Sequence, residues 1–212
     1  MTTKLPVFFQ GVGTTVELAL CTAIFGTLLG IVVALLRMSR VKLLKVLAGA
    51  YIEFLRGTPL LVQVLFVFYG LPQMGVKLPR MTAGTVALVI NSAAYMAEIV
   101  RSGIQAIDGG QTEASRSLGM NGAQTMIYII LPQAIKNILP AIGNEFISII
   151  KESSILYTIG IYELTYQANK LASTNFRYLE TLTISALIYF VLTFTASRLL
   201  GMLERRMRRG DR

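Results

Sequence analysis

Residues 16–36 form an apolar run whose one charge, Glu17, stands at its edge. A run of about 20 apolar residues is long enough to cross the hydrocarbon core of a bilayer as a helix. In hydrocarbon a chain must pair its backbone N–H and C=O groups internally, which leaves only helices and closed barrels. The feature recurs, with further candidate spans at about 58–75, 82–107, 133–150 and 181–203. Pro59 suits the first turn of the second span. Glu98 and Arg101 interrupt the third, and Pro140, Asn144 and Glu145 lie within the fourth. The first run is too long for the apolar core of a signal peptide, and no small-residue cleavage site follows it. The expected fold is all-α: an integral membrane helical bundle of five transmembrane helices, forming a single domain over 1–212.

Composition agrees. Of all residues 54% are hydrophobic and 15% are charged, where a soluble domain carries roughly 25% charged residues. There is no histidine, which removes His-ligated metal sites, Ser-His-Asp and Cys-His nucleophile systems and the commonest general base. No catalytic centre, metal or cofactor is expected. The single cysteine, Cys21, lies inside the first apolar run and reads as packing filler. The net charge of +9 does not point to nucleic acid, because a nucleic-acid binder carries its charge on a polar surface and this chain has little of one.

The basic residues orient the spans instead. Segments 37–45, 101–136 and 198–212 hold thirteen of the twenty Lys and Arg, while segments 1–10, 73–82 and 157–178 hold five. The expected topology has the N-terminus outside and the C-terminal Glu204-Arg205-Arg206-Met207-Arg208-Arg209 tail in the cytoplasm.

Between spans three and four lies a cytoplasmic loop, about 108–131, too polar to span. Asp108, with Gln111 three residues on, reads as an N-cap with a capping-box partner. A short helix over Gly109–Leu118 is expected to end at Gly119, a C′ glycine. Asn121 can cap a second short helix, Gly122–Leu131, and Pro132 suits the first turn of span four. Ala114, Leu118 and Ile127 offer an apolar side to a partner.

Glu113-Ala114-Ser115, then Gly119, then Ile130-Leu131-Pro132 resembles the EAA loop of permease subunits in bacterial ABC importers. That pattern is Glu-Ala-Ala, three residues, Gly, nine or more residues, then Ile-x-Leu-Pro. Here Ser115 replaces the second Ala, and Ile130 abuts Leu131. Glu53-Phe54-Leu55-Arg56-Gly57-Thr58-Pro59-Leu60, Ala94-Tyr95-Met96-Ala97-Glu98-Ile99, Arg101-Ser102-Gly103-Ile104-Gln105 and Lys151-Glu152-Ser153-Ser154 are similar to the polar amino-acid branch of that family. The resemblance covers about residues 10–210. It implies a type I importer permease in a bacterial inner membrane, working as a pair with a second copy or a paralogue. It also implies separate ATP-binding cassette ATPase subunits, an extracellular solute-binding protein and an amino-acid substrate. The ATPase must be another chain, since no G-x-x-x-x-G-K-[ST] phosphate loop occurs here. The ATPase-coupling set is Glu113, Ala114, Ser115, Leu118, Gly119 and Pro132.

Charged groups inside spans are costly, about 2.5–3.5 kcal/mol on insertion scales, so each needs a reason. Asn91, Tyr95 and Glu98 share one helix face, which is either an interhelix hydrogen-bond seam or the lining of a pathway. Glu98 and Arg101 lie one turn apart and can pair locally. In span four, Pro140 and Gly143 are expected to loosen the helix where Glu145, Ser148 and Glu152 share a face. Glu145 suits the ammonium of a basic or neutral polar amino acid, with structural pairing as its other reading. Lys151 pairs with a carboxylate of the path or with Glu152 at the helix end. Gly26 and Gly30 in span one form a small-xxx-small step suited to close helix contact.

An ion-driven secondary amino-acid transporter is the alternative. It should show inverted repeats, and five spans do not divide into two equal halves. No carbonyl-rich pore loop marks a channel.

Overall fold

The computed structural model describes residues 5–209, with side chains from Pro6 to Met207. Lys4 and Arg212, both counted toward the topology, lie outside the described residues, as do the side chains of Arg208 and Arg209. Taking contiguous helical stretches together, the described chain forms α1 (Leu5–Arg37), α2 (Lys42–Gly57), α3 (Leu60–Gln73) and α4 (Arg80–Gln105), followed by α5 (Gly109–Ser117), α6 (Gly122–Ile159), α7 (Leu164–Asn175) and α8 (Tyr178–Arg209). Helices α1, α4, α6 and α8 are long and apolar enough to cross a membrane, and the bent pair α2–α3 makes five when counted as one span.

The helix bounds bear on two expectations. The helix of the second candidate span starts at Leu60, directly after Pro59, and with α2 before it forms a pair bent by 106°. A proline disfavours helical backbone in the residue before it, and Thr58 is extended (φ −117°, ψ 147°). The second loop helix is not separate: Gly122–Leu131 runs into span four as one continuous α6. Pro132 in such a helix would clash with the carbonyl four residues back and lacks an N–H to donate. The wider π-helical turn over Thr125–Ile130, directly before Leu131-Pro132, relieves that conflict. Segment 71–73 repeats the device, with π-helical Phe66–Gly70 ahead of Leu71-Pro72. Segment 157–178, between α6 and α8, holds α7, whose Leu164, Gln167, Ala168 and Ala172 are buried.

Helix α4 is the centre of the bundle. Its apolar window is 61% buried within the chain, against 0% for α8, so α4 is core and α8 faces outward. Small residues explain why α1 lies so close to α4. A Cβ added at Gly30 would stand 2.5 Å from Met96 Cβ, and one at Gly26 would stand 2.9 Å from Ser92 Oγ. The expected small-xxx-small contact is thus present, and its partners Ala93, Met96 and Ala97 are fully buried. Gly143 works the same way: a Cβ there would meet Leu200 of α8 at 2.3 Å. Helix α6 stays continuous through Pro140 and Gly143, so Gly143 serves packing and does not loosen the helix.

These contacts also gather the basic segments. Gly26 and Gly30 face residues 92–97 in the same order, so α1 and α4 run parallel and end together at Arg37 and Gln105. At that end Ile107, Lys136, Asn137, Glu204 and Met207 share the wall of a cavity of about 480 Å3. Segments 37–45, 101–136 and the start of the C-terminal tail therefore lie at one end of the bundle. Gly11, packed on Leu164, marks the other.

Candidate functional site

Two groups of side chains stand apart from the packing: an exposed helical hairpin at the basic end, and polar groups along α4 and α6.

The hairpin is α5, the turn at Gly119 and the start of α6. Asp108 caps α5, its Oδ1 accepting from Gly110 N at 2.7 Å. Gln111 is not its capping-box partner; its side chain accepts from Gln133 Nε2 at 3.4 Å instead. The capping box is one turn of chain later. Gln124 N donates to Asn121 Oδ1 (3.0 Å) and Asn121 N donates to Gln124 Oε1 (2.8 Å). Helix α5 ends in a complete Schellman motif: Gly119 N donates to Arg116 O and Met120 N to Ser115 O, both at 3.1 Å. This needs the left-handed backbone that Gly119 adopts, φ +86°. Glu113 and Ala114 are exposed, and Leu118 at 84% exposure is a bare apolar knob at the tip. The Glu113 carboxylate has no partner among the described residues. Ser115 points inward and is 4% exposed; Pro132 lies exposed beyond the π-helical turn. Ile129 stands two residues before Leu131, so the Ile-x-Leu-Pro close is complete with Ile129 in place of Ile130.

In the bundle, Asn91 is buried and stitches α4 to the α2–α3 bend. Its Nδ2 donates to Gln63 Oε1 (2.9 Å) and toward Leu55 O (3.4 Å). Gln63 Nε2 lies 2.9 Å from Leu55 O, 3.2 Å from Thr58 O and 2.8 Å from Thr58 Oγ1. Carbonyls freed where α2 breaks are satisfied by these two amides. Tyr95, one turn along, lies under the Arg56 guanidinium at 5.4 Å from the ring centroid. Glu98 pairs with Arg101 through two hydrogen bonds, one of them Nε to Oε2 at 3.0 Å. Arg101 also bonds Gln105.

The α6 residues differ. Glu145, Ser148 and Glu152 are half-buried, and none has a hydrogen-bond or ion-pair partner among the described residues. Glu145 is within electrostatic reach of Glu152 and of Arg56. Lys151 makes no salt bridge to Glu152 among the described residues but lies within its electrostatic reach; it lines a separate cavity of about 320 Å3 with Ser154, Thr165, Ser185 and Tyr189. So the structure brings Arg56 toward Tyr95, Glu98 and Glu145, and leaves Lys151 aside.

Sequence reading missed Arg56, Gln63 and Glu163. The first two follow only from the bend, which turns α2 and α3 back onto α4. Glu163 is fully buried, caps α7 by accepting from Thr165 N (2.8 Å) and Tyr166 N (2.6 Å), and accepts from the Tyr189 hydroxyl at 2.8 Å. Burial pushes its carboxyl above the usual range. An acidic residue capping a helix is a signal that could have located it.

A bundle of spans with unpaired polar groups inside it and a capped helix hairpin exposed at its basic end defines a membrane permease. The chain belongs to the binding-protein-dependent transport system inner membrane component family, whose model matches residues 26–209. It is 40% identical over 209 residues to the arginine transport system permease protein ArtQ of Bacillus subtilis (strain 168), covering 98% of this chain and 95% of that protein. Over 206 residues it is 35% identical to the glutamine transport system permease protein GlnP of Escherichia coli (strain K12), covering 96% of this chain and 94% of GlnP. Among solved structures it is similar to an amino acid ABC transporter crystallised with histidines, at 52% identity and a TM-score of 0.94 over 97% of this chain and 96% of that one. The MetNI methionine ABC transporter in an inward-facing form, at 18% identity and a TM-score of 0.80 over 97% and 98% of the two chains, shares the fold.

Proposed function

We propose that this permease forms, with a second copy or a paralogue, the path of an ATP-driven importer of polar amino acids, basic or neutral polar ones favoured. The observation that carries the solute class is Glu145: a half-buried carboxylate within a candidate span, with no hydrogen-bond or ion-pair partner among the described residues. An ionisable group at such a depth faces protein or a water-filled path. An amino acid entering the path must have its ammonium stabilised away from water, and Glu145 offers that. Arg56, over Tyr95, offers a cation to the solute carboxylate. Asn91, Tyr95, Glu98, Ser148 and Glu152 line the approach, and Lys151 acts at its edge. ArtQ and GlnP, by their names, serve arginine and glutamine, which supports the same class.

Energy enters from separate ATPase subunits at the α5 hairpin. Glu113, Ala114, Ser115, Leu118, Gly119 and Pro132 build a rigid, exposed hairpin able to transmit a rigid-body movement from a cytoplasmic partner. An extracellular binding protein delivers the solute at the other end. The orientation follows from charge: the basic end is cytoplasmic, and the N-terminus is outside the cell membrane. Membership of a binding-protein-dependent family argues against the ion-driven alternative. The test is a panel of tritiated amino acids offered to vesicles holding this chain with its ATPase and binding protein. ATP-dependent uptake of arginine, lysine, histidine or glutamine is expected, insensitive to uncouplers. Uptake that survives ATP depletion and collapses with an uncoupler would overturn the reading.

A further inference from the structure

We propose that the hydroxyl pair Ser115–Thr125 is a brace that makes the α5 hairpin and α6 move as one lever. The proposal rests on α5 being the ATPase-docking helix and names what transmits its movement into the membrane. Docking alone moves only a nine-residue helix, Gly109–Ser117. The covalent link from there to the span is the turn at Leu118–Met120, built around a glycine. A turn of this kind is a pivot unless something outside it holds the two arms. Ser115 Oγ lies 3.0 Å from Thr125 Oγ1 and 2.9 Å from the Thr112 carbonyl. Both residues are buried, Ser115 4% and Thr125 3% exposed, in a segment where most neighbours are exposed. A second bridge farther from the turn, Gln133 to Gln111 at 3.4 Å, ties the same two arms.

Thr125 is also the first residue of the π-helical stretch Thr125–Ile130. Movement delivered at Thr125 therefore enters α6 ahead of Pro132 and passes through a stretch of the helix whose hydrogen-bond register is irregular. The brace sets whether that stretch follows α5 or yields to it. Ser115 stands where the loop pattern has alanine, which has no hydroxyl for this bond. Neither residue touches the solute or the nucleotide, so both act as positioning residues.

The readout is solute transported per ATP hydrolysed, measured in nanodisc or vesicle preparations of the full complex with the ATPase and binding protein. Thr125→Val keeps the shape and removes the hydroxyl; Thr125→Ser keeps the hydroxyl. Thr125→Val is expected to retain stoichiometric ATPase and lower the ratio roughly two- to tenfold, the range of one lost hydrogen bond. Thr125→Ser is expected to match the parent, and Ser115→Ala combined with Thr125→Val to be no worse than the poorer single variant. A Thr125→Val complex with an unchanged ratio overturns the brace, whether or not its thermal stability falls. If Gly119→Val, measured alongside, also keeps a stimulated ATPase, the docking reading itself has failed. If Gly119→Val loses the ATPase while Thr125→Val is silent, only the brace is wrong.

Discussion

The turn at Gly119 and the bend at Thr58–Pro59 both redirect a helix sharply, and they are closed by different means. At Gly119 the bonds that close the turn itself are local. The Schellman pair joins residues three and five apart, and the capping box joins Asn121 to Gln124. At Thr58–Pro59 the freed carbonyls of Leu55 and Thr58 are met by side chains from Gln63 and from Asn91, which is 36 residues from Leu55. Water can satisfy stray backbone groups at an exposed hairpin, but not within a bilayer, and the bend between two apolar helices draws amides from its neighbours. The turn at Gly119 is thus closed by its own residues and, with the side-chain bridges across its arms, can be pushed as a unit. The membrane bend is one piece with the polar face of α4 behind it.

The largest effect that could break this contrast is at Gly119. Gly119→Val forces a β-branched residue to φ +86°, and left-handed backbone costs ordinary residues about 1–2 kcal/mol, more for branched ones. The hairpin is expected to lose its shape while the bundle still inserts, so the ATPase is lost on purification. Next is Glu145→Gln, which keeps the shape and removes the charge. Loss of a charge-assisted bond of about 1.5–3 kcal/mol predicts half-saturation for uptake raised about 10- to 150-fold with the ATPase still bound. Unchanged half-saturation in an intact complex would make Glu145 structural.

A smaller effect sharpens the other side. Gln63→Leu takes the nearer acceptor from the Asn91 amide and the side-chain donor from the Thr58 carbonyl, a cost of about 1–3 kcal/mol. The melting temperature of the detergent-solubilised complex is expected to fall by roughly 2–12 °C. Asn121→Ala removes one local cap, worth about 1 kcal/mol, and should lower it by only about 2–4 °C with ATPase binding kept. An Asn121→Ala effect as large as that of Gln63→Leu would remove the distinction between the two turns.

What was legible in the sequence follows the same division. Gly119, Asp108 and Asn121 announce their roles by residue type, because caps and left-handed turns are decided within a few residues. The apolar runs announce the all-α membrane bundle, and Gly26 and Gly30 the close α1–α4 contact. Gly122–Leu131 was expected as its own helix because Pro132 looks like a start; a π-helical turn that carries a helix past a proline has no residue signature of its own. Gln63, Arg56 and the inward side of Glu163 were not legible, since each matters through a partner that only the tertiary fold supplies. Glu98 had its neighbour Arg101 in plain view, one turn away, and the pair is formed.

If the α5 hairpin is where force enters the permease, its tip must meet the ATPase. Leu118, the exposed knob at its tip, is the direct probe. In a Cys21→Ala background, Leu118→Cys carrying a short maleimide-linked photo-crosslinker should join this chain to the ATPase subunit in the purified complex, with a yield that changes between nucleotide-free and ATP-bound states. The same reagent on Lys170→Cys, at the opposite end, should give no ATPase adduct. An ATPase adduct from position 170 and none from position 118 would mean that force enters elsewhere.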